Sequence, residues 1–588
     1  MSLFSRRSIL ALSLLCAAGM SAGISALEDI SKPLVSKSVA SKKQAPAYAV
    51  VSDDGKHAVA TVQPLATQAA LDIYQQGGNA IDAALAAAFT LGVVDSHNSG
   101  IGGGLFIIAH LADGEVIAID GREMAPSAAT KDMFIREGVA VPELSKTGAL
   151  AVGVPGSVQA LYELQQRAGK LSFADTLAPG IEIAEQGFAI DHVLAARLQR
   201  SKKKLQAFPE TEKVFMPKGQ PLTTGDILKQ QDLANTYRML AKQGPKYFYK
   251  GDFAKKLDQW MQANGGILNA ADMATYKTIE RAALRSSFMG YELVGFPPPS
   301  SGGMHVSQIL KMMELQTAYK QPELDRYHRY IESSKRAFAD RAHWMGDSDF
   351  VSVPRGLDSP AYLKKRIADI SHLSATENLT YGTPEDWKSN IFAKHTTHVV
   401  TADKLGNWVS LTTTLNTSFG SAVMVPGTGV VMNNQMDDFA AQPGIPNAFG
   451  LLGSEANAVA AGKRPLSSMS PSLVLKDGKP VMALGAAGGP TIISQVAQVM
   501  QNVLALDMEL EQAMATPRVH HQWKPNLVFV DGFMDEQLKE GLTKRGHNLK
   551  IWPAFGATQA ILLKDGQFQA ESEPRIQPER LKQLNKKP

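Results

Sequence analysis

The sequence predicts a mixed α/β fold in which packed sheet layers are flanked by helices. β-branched runs on either side of a turn predict antiparallel hairpins, as in HTTHVV and WVSLTTTLN around DKLGN. Apolar stretches with helix start and stop signals predict helices, as in residues 66–94. These blocks follow one another as strand-then-helix groups rather than in strict βαβ alternation, which favours sheet layers with helices outside them.

The composition is that of an ordinary globular protein. The chain has 588 residues, of which 44% are hydrophobic and 20% are charged, and this length is enough to bury a sizeable core. The formal net charge is only +4. The sequence has no basic stripe with interleaved aromatic residues, so we expect no nucleic-acid partner.

The N-terminus has the pattern of a secretory signal peptide. Two arginines in MSLFSRRSIL precede an uncharged apolar run over residues 9–22, and small residues then lead to Ala26. The alternative is a membrane anchor, but the run is short for a span and no second long apolar stretch follows. We therefore expect residues 1–26 to be removed on export, leaving a periplasmic or secreted protein with no stable membrane span. SRRSIL also resembles a twin-arginine signal, so the export route stays open.

The segment that follows the signal, and the cysteine inside it, set two further expectations. Residues 27–47 are polar and aperiodic, which predicts a mobile leader. The only cysteine, Cys16, lies within the signal. The mature protein would then contain no disulfide, no thiol nucleophile and no zinc–thiolate site.

The first ordered part of the chain predicts strands and buried helices. Two short strands around a DG turn (residues 48–64) precede two helices separated by GGN. The second helix is apolar nearly all round and should be buried. The Gly-rich DSHNSGIGGG then leads into a buried strand, a DG hairpin turn and a second strand that ends at residues 120–123. Its spacing fits neither a dinucleotide-binding loop nor a phosphate-binding loop, so we do not expect phosphate binding.

The rest of the chain predicts helices followed by further hairpins. Residues 151–270 predict mostly helices, a rigid PPPSSGG turn predicts a helix from about Met304, and residues 327–343 predict another. Residues 371–391 are polar, which predicts an exposed linker. Beyond the central stretch, SPSLVLKDGKPVMALG predicts a hairpin around Asp477-Gly478, and TIISQVAQVMQNVLAL predicts an apolar helix.

Several short motifs occur along residues 48–580: GGNAIDAALA, GREMAP, PGSV, PPPSSGG, TTH followed by TLN, NNQMDDF, KRPLSSMSP, GAAGG and RVHHQW. In this order and spacing they make the chain resemble the bacterial γ-glutamyltransferases (γ-glutamyltranspeptidases, or glutathione hydrolases), which are N-terminal-nucleophile (Ntn) hydrolases. The resemblance implies a four-layer αββα sandwich. It also implies a large subunit, residues 48–395, and a small subunit, residues 396–588.

Two threonines match the catalytic threonines of this family. Thr396, the first residue of TTH, matches the nucleophile, and the resemblance implies that the precursor cuts itself just before it. The freed α-amine, with a pKa of about 8, would then act as the base for the hydroxyl of the same residue. Thr414, in TLN, matches a threonine expected to hydrogen-bond that hydroxyl and to assist self-cleavage. On periodicity alone, both threonines are equally well explained as ordinary strand residues.

Two glycines match the oxyanion hole of the family. Gly488 and Gly489 correspond to paired glycines whose backbone N–H groups stabilise the tetrahedral intermediate, and glycine permits the close approach this requires. Bacterial members often have GSPGG followed by Ser-Arg, whereas this chain has GAAGG followed by Pro490-Thr491. Because the donors are backbone groups, we expect the hole to be retained.

A γ-glutamyl group ends in an α-carboxylate and an α-ammonium, and the resemblance implies a residue set for each charge. Arg122 matches the residue that binds the carboxylate, for which a guanidinium fork is suited. Taken singly, Arg122 is also explained as a surface salt-bridge residue, and Asp437-Asp438 as a solvated turn. The residues that match the carboxylate-binding serines are Ser467 and Ser468. The residues that match the ammonium-binding set are Asp438, Asn416 and Gln435.

A lid and the absence of a metal complete the expected site. Residues 443–454 match a lid loop, with Phe449 where the family often has tyrosine. His395 and His398 form HxxH, but strand alternation places them on opposite faces. Together with the pair His520-His521 they do not supply the converging ligands that a metal needs, so we expect no metal and no organic cofactor.

The resemblance implies a γ-glutamyltransferase and glutathione hydrolase that forms a γ-glutamyl ester on Thr396. The acyl group would pass to water or to an amino acid or peptide acceptor, and the two subunits cut from one precursor would form a heterodimer. Two alternatives stay open. One is a related acylase of the cephalosporin-acylase kind, which the ammonium-binding set disfavours. The other is a non-catalytic periplasmic binding protein that keeps the pocket and never self-cleaves.

Overall fold

The structure is a computed structural model that describes residues 47–385, 397–442, 444–552 and 556–584. The predicted signal peptide, the leader up to residue 46, His395 and Thr396 lie outside these ranges.

The strands lie mainly in two large sheets. In chain order they are β1 (Ala49–Val51), β2 (His57–Ala60), β3 (Gly104–His110), β4 (Val116–Gly121), β5 (Ile135–Arg136), β6 (Val139–Ala140), β7 (Phe188–Ala189), β8 (Ile227–Leu228), β9 (Ile279–Glu280), β10 (Leu284–Phe288), β11 (Tyr291–Gly295), β12 (Thr397–Asp403), β13 (Trp408–Thr414), β14 (Ser472–Lys476), β15 (Lys479–Ala487), β16 (Val519–His520), β17 (Val528–Asp531), β18 (Leu549–Trp552), β19 (Ala557–Lys564) and β20 (Gln567–Ser572).

The helices are distributed along the chain between these strands. In chain order they are α1 (Pro64–Gln75), α2 (Ala80–Val94), α3 (Pro142–Lys146), α4 (Ser157–Ala168), α5 (Phe173–Gln186), α6 (His192–Gln206), α7 (Pro209–Phe215), α8 (Gln231–Gln243), α9 (Pro245–Lys250), α10 (Asp252–Ala263), α11 (Ala270–Thr275), α12 (Gly302–Leu315), α13 (Glu323–Trp344), α14 (Pro360–Ile367), α15 (Thr491–Leu504), α16 (Leu510–Ala515), α17 (Glu536–Lys544) and α18 (Pro578–Leu584).

Each large sheet is antiparallel and has a predicted hairpin near its middle. The first sheet has the order β1-β2-β12-β13-β3-β4-β9, and the second has the order β10-β11-β14-β15-β19-β20. In the first, Thr397 of β12 lies opposite Thr413 of β13. In the second, β14 and β15 turn at Asp477-Gly478, as predicted. A smaller sheet, β16-β17-β18, and the pairs β5–β6 and β7–β8 complete the described strands.

The two large sheets pack face to face and are covered by helices on their outer faces. Phe106 of β3 stacks on Phe296, which follows β11, with ring centroids 4.2 Å apart. These two rings belong to the apolar core between the sheets. A second core joins the first sheet to α1, α2, α4, α5 and α8, and a third joins the second sheet to α12, α13 and α15. The layer order is therefore helix, sheet, sheet, helix, which confirms the predicted four-layer αββα sandwich.

The Ala-rich helix α2 lies in the centre of the first helical layer. All 15 of its residues are buried, as its apolar composition predicts. Its start is fixed by a capping box between Asn79 and Asp82. The small alanine side chains allow α5 and β12 to approach it closely.

The other local predictions are confirmed with shifted boundaries. The helix expected from Met304 begins at Gly302, and the helix expected over residues 327–343 spans Glu323–Trp344. The stretch 151–270 is mostly helical, but it also contains the short β7–β8 pair, which periodicity did not indicate. Among the described residues, none of the helices has the length and apolar character needed to cross a membrane.

Candidate active site

The centre of the site is a buried ion pair between Arg122 and Asp438. Arg122 directly follows β4, and Asp438 ends a short 3₁₀ turn that begins at Gln435. The Arg122 Nη2 atom lies 2.5 Å from Asp438 Oδ2, and both side chains are inaccessible to solvent. The explanations of Arg122 as a surface residue and of Asp438 as part of a solvated turn are therefore wrong.

The backbone of Arg122 is fixed from behind by a second carboxylate. Asp120 Oδ1 accepts the Arg122 N–H at 2.9 Å and an N–H of Arg464 at 2.6 Å, while Asp120 Oδ2 accepts the Arg281 Nε–H at 2.7 Å. Burial alone would raise the pKa of Asp120, but Arg464 and Arg281 together hold it below its ordinary value. The hydrogen bonds of Asp120 thus fix the backbone position of Arg122.

Three acceptor oxygens beside the ion pair have no hydrogen-bond partner among the described residues. They are Asn416 Oδ1, Gln435 Oε1 and Asp438 Oδ1, and each is buried. The three side chains are held together locally. Gln435 Nε2 lies 3.4 Å from Asp438 Oδ2, and Asn416 Nδ2 donates to the carbonyl of Asn434 at 2.9 Å. Since buried polar groups are normally satisfied, three unpaired acceptors at one place indicate a binding site for a donor.

The two predicted serines belong to a segment that contacts Arg122. Their segment begins at Pro465, whose carbonyl accepts the Arg122 Nε–H at 3.3 Å. Ser468 Oγ is buried and has no partner among the described residues. Ser467 Oγ accepts the Met469 N–H at 3.4 Å. The segment that carries the available Ser468 hydroxyl therefore contacts the Arg122 guanidinium directly, through Pro465.

Thr414 lies at the end of β13, next to the point at which β12 begins. Its Oγ1 atom accepts the Asn416 N–H at 2.7 Å, which links this threonine to the unpaired acceptors. Thr397 pairs with Thr413, so the chain enters β12 at the same edge of the sheet. Thr396, the residue before β12, lies outside the described residues. The predicted contact between Thr414 and the nucleophile therefore stays a prediction.

The GIGGG segment packs against this edge of the sheet. A Cβ atom at Gly103 would collide with the carbonyl oxygen of Thr414, and one at Gly102 would collide with that of Val431. These glycines are required because two backbones approach each other closely there. These contacts give the segment a packing role, and the expectation that it does not bind phosphate stays a prediction.

The predicted oxyanion-hole glycines form a turn between β15 and α15. Gly488 and Gly489 have φ values of 135° and 60°, in the left-handed half of backbone space that favours glycine. Neither donates its N–H to an acceptor in the part of the chain that the structure describes. Thr491 Oγ1 donates to the Gly488 carbonyl at 2.8 Å. The altered GAAGGPT sequence therefore supplies a hydrogen bond of its own that holds the turn.

The predicted lid residue Phe449 covers this glycine turn. A Cβ atom added at Gly489 would lie 2.8 Å from the Phe449 ring, so the ring packs directly on the turn. The next residue back, Ala448, donates its N–H to Asp437 Oδ2 at 2.9 Å. Asp437 precedes Asp438, so the lid contacts both the glycine turn and the turn that carries the ion pair. The lid thus joins the two halves of the site.

Glu123 is a buried carboxyl in the site that sequence reasoning did not select. Its Oε2 atom lies 3.4 Å from Arg122 Nη1, and its Oε1 atom has no partner among the described residues. Burial raises the pKa of Glu123 to about 7, with Arg122 opposing the shift and Asp438 adding to it. Its position next to Arg122 in GREMAP was the available signal, but adjacency in sequence does not show that both side chains point inward.

The described histidines form no metal centre. His398 is buried, with Nδ1 3.0 Å from Thr412 Oγ1, and burial lowers its pKa to about 3. His520 Nδ1 lies 2.8 Å from Ser494 Oγ, and His521 Nε2 lies 3.0 Å from Asn526 Oδ1. No cluster of three potential ligands occurs within the described ranges.

Comparison with known proteins first defines the class. The fold matches the cephalosporin acylase from Bacillus halodurans with a TM-score of 0.81 and 29% identity, covering 91% of this chain and 97% of that one. It also matches the Helicobacter pylori gamma-glutamyltranspeptidase with a TM-score of 0.52 and 36% identity, covering 57% of this chain and 95% of that one. The molecule is therefore an αββα sandwich of the Ntn-hydrolase type.

Sequence comparison then defines the family. The model of the gamma-glutamyltranspeptidase family matches residues 66–581. The glutathione hydrolase proenzyme of Escherichia coli (strain K12) is 40% identical over 527 residues, which cover 88% of this chain and 90% of that protein. The chain belongs to the gamma-glutamyltranspeptidase family.

Proposed function

We propose that this protein is a γ-glutamyltransferase and glutathione hydrolase that cuts its own chain before Thr396 and then uses Thr396 as its nucleophile. One observation carries the substrate class. Asp438, which pairs with Arg122, and the linked residues Gln435 and Asn416 each have a buried acceptor oxygen without a hydrogen-bond partner among the described residues. An ammonium has three N–H donors to offer to them, and a guanidinium binds a carboxylate. Together these groups suit the α-ammonium and α-carboxylate of a γ-glutamyl substrate.

In the proposed reaction, the Thr396 hydroxyl attacks the γ-carbonyl carbon and gives its proton to the α-amine of the same residue. The N–H groups of Gly488 and Gly489 stabilise the oxyanion. The C–N bond then breaks, and the leaving amine takes the proton from the α-ammonium, which leaves a γ-glutamyl ester on Thr396. Water or an acceptor amine attacks this ester and loses a proton to the α-amine. Cleavage of the ester bond returns the hydroxyl to Thr396 and releases glutamate or a new γ-glutamyl amide.

Processing and location form part of the same proposal. Self-cleavage would yield a large subunit ending at residue 395 and a small subunit starting at Thr396, associated as a heterodimer. The proenzyme name of the Escherichia coli relative supports this. The solved Helicobacter pylori chain supports it as well, because 95% of that chain matches only 57% of this sequence, as expected if it is one of two subunits. The predicted signal peptide supports export to the periplasm or beyond, where amino acids and peptides would act as acceptors.

The acylase alternative shares the fold, but its acyl group would pair with fewer of the polar atoms in this pocket. The similarity to a cephalosporin acylase shows that the sandwich accepts other acyl groups. A glutaryl group has the carboxylate of a γ-glutamyl group and lacks its ammonium. It would leave Asp438 Oδ1 and its two neighbouring acceptors buried without donors, which is costly.

The decisive experiment compares γ-glutamyl-p-nitroanilide with glutaryl-p-nitroanilide. We expect kcat/KM to be roughly 100-fold or more higher for the γ-glutamyl compound, because a site built for hydrogen bonds rejects an analogue that lacks the donor. Equal or reversed preference would favour the acylase.

Intact mass and N-terminal sequencing of the same preparation test the nucleophile. We expect two fragments, one beginning with Thr396, in the unsubstituted protein and a single chain in Thr396→Ala. A single stable chain without turnover in the unsubstituted protein would favour the binding-protein alternative.

A further inference from the structure

Arg341 is a buried arginine that forms no ion pair among the described residues. It lies on α13, and only 2% of its surface is exposed. Its Nε–H donates to Ser301 Oγ at 3.1 Å. Every other buried arginine of the described residues pairs with at least one carboxylate; these are Arg122, Arg336, Arg464, Arg518 and Arg575.

An unpaired buried cation is unfavourable unless another anion approaches it. Guanidinium carries five N–H donors, and Arg341 uses one of them within the described residues. Burial lowers the pKa of Arg341 to about 9, and the Asp438 carboxylate is the charge that opposes this shift. The unpaired cation thus lies within the electrostatic reach of the Arg122–Asp438 pair.

Arg341 also connects to the serines on the carboxylate side of the pocket. Its partner Ser301 donates twice to the carbonyl of Ser467, from Oγ at 2.6 Å and from its backbone N–H at 3.1 Å. The next residue, Ser468, has the hydroxyl that lacks a partner within the described ranges. Arg341 therefore lies on the carboxylate side of the pocket, behind Ser301, and close enough to Asp438 to interact with its charge.

Arg122 by itself has limited capacity for a substrate carboxylate. Each of its three nitrogens already has an acceptor: Nε has the Pro465 carbonyl, Nη1 has Glu123 and Nη2 has Asp438. Two of its five N–H donors remain for a ligand. A second guanidinium would supply the additional donors and would balance the charge that an entering carboxylate brings.

We propose that Arg341 is a second carboxylate-binding residue of the γ-glutamyl pocket, acting with Arg122 and Ser468 on the α-carboxylate of the substrate. This inference rests on the proposed function and adds a specificity residue to it. Arg122 remains paired with Asp438 while the ligand carboxylate gives Arg341 its missing anion. Asp438 and the ligand carboxylate then each have a guanidinium partner, and the ligand ammonium lies on the three acceptors that have no partner among the described residues.

The test compares two substrates that differ only in the α-carboxylate. One is γ-glutamyl-p-nitroanilide, and the other is the same compound with the α-carboxylate converted to a carboxamide. The measured quantity is the kcat/KM of the carboxylate substrate divided by that of the carboxamide substrate, determined for the processed heterodimer. We expect Arg341→Gln to lower this ratio by about 10-fold or more, mainly through KM, since a hydrogen bond to a charged group is lost only with the carboxylate substrate.

A matched control distinguishes binding from a structural role. Arg336 lies on the same helix and pairs with Glu332 and Asp369, both at 2.7 Å. Arg336→Gln should change both kcat/KM values by the same factor and leave the ratio as it is in the unsubstituted protein. If Arg341→Gln does the same, Arg341 acts only on structure and the inference is overturned.

A second variant keeps the test informative if Arg341→Gln does not accumulate. Arg341→Lys retains the charge with fewer donors, so the ratio should fall by about 2- to 5-fold; an unchanged ratio would overturn the inference. The unsubstituted protein separates the two proposals. If it does not turn over γ-glutamyl-p-nitroanilide, the proposed function fails and this inference fails with it. If it does and the ratio is insensitive to Arg341, only this inference fails.

Discussion

Asp120 and Asp438 are both buried carboxylates bound to arginine, and they contact the two ends of Arg122, its backbone N–H and its guanidinium. Asp120 uses both oxygens, accepting from Arg122, Arg464 and Arg281. Asp438 uses one oxygen, and its Oδ1 atom has no partner among the described residues. Buried pairing of a carboxylate with arginine therefore has two roles in this molecule. A saturated buried carboxylate stabilises the fold, whereas a half-satisfied one is available to a ligand.

The largest effect on stability should come from neutralising Asp120, the carboxylate whose two oxygens both accept hydrogen bonds. Asp120→Asn removes the charge between the buried Arg464 and the partly buried Arg281, so we expect the free energy of unfolding to fall by about 3–5 kcal/mol. Denaturant unfolding of the processed protein would measure this. A loss below about 1 kcal/mol would mean that Asp120 is as replaceable as a surface carboxylate.

Asp438→Asn should affect substrate binding more than folding. We expect kcat/KM for γ-glutamyl-p-nitroanilide to fall roughly 30- to 1,000-fold, as for the loss of one partner of a buried charged contact. Stability should change less than in Asp120→Asn, because Glu123 can ionise more readily beside Arg122 once Asp438 is neutral. Activity and denaturant unfolding are measured on the same samples. A larger loss of stability in Asp438→Asn than in Asp120→Asn, with little loss of activity, would contradict these roles.

The pH dependence of stability tests the third carboxyl, Glu123. Its pKa in the folded state is raised to about 7 from an ordinary value of 4.5, so the folded state binds the proton more tightly. Stability therefore falls as pH rises through this window, and the cost is complete above pH 7. Relative to Glu123→Gln, the unsubstituted protein should lose about 3 kcal/mol between pH 4.5 and 7. If the stabilities of the two proteins change in parallel with pH, the pKa of Glu123 is not raised in the folded state.

The smallest effects should separate an unpaired hydroxyl from a satisfied one. Ser468→Ala removes a buried hydroxyl that has no partner among the described residues, so we expect unchanged or slightly higher stability and a several-fold rise in KM. Thr491→Val removes the hydroxyl that donates to Gly488 and should cost about 1 kcal/mol. Thermal unfolding and KM are compared side by side. A loss of stability in Ser468→Ala equal to that in Thr491→Val would remove the distinction.

Sequence patterns predicted the local structure well where one kind of periodicity was unambiguous. The all-apolar α2 was predicted as a buried helix, and the DG-centred β14–β15 hairpin was predicted with its turn in place. The motifs from GREMAP to GAAGG led, through resemblance, to the αββα sandwich and to the candidate residues. The short β7–β8 pair was missed because two-residue strands carry no periodic signal.

The sequence by itself therefore determined which residue types are present and the order of their motifs, since helix and strand periodicity and family motifs are local properties. Only the tertiary structure decided how these residues are paired. It joined Arg122 to Asp438 across 316 positions of the chain and turned Glu123 inward. It also left three acceptors around this pair without a partner among the residues that the structure describes. It also placed Arg341, a residue of the polar helix α13, near this pocket without a counter-ion in the part of the chain that the structure describes. Burial and pairing depend on which distant segments pack together, and this information is absent from any single stretch of sequence.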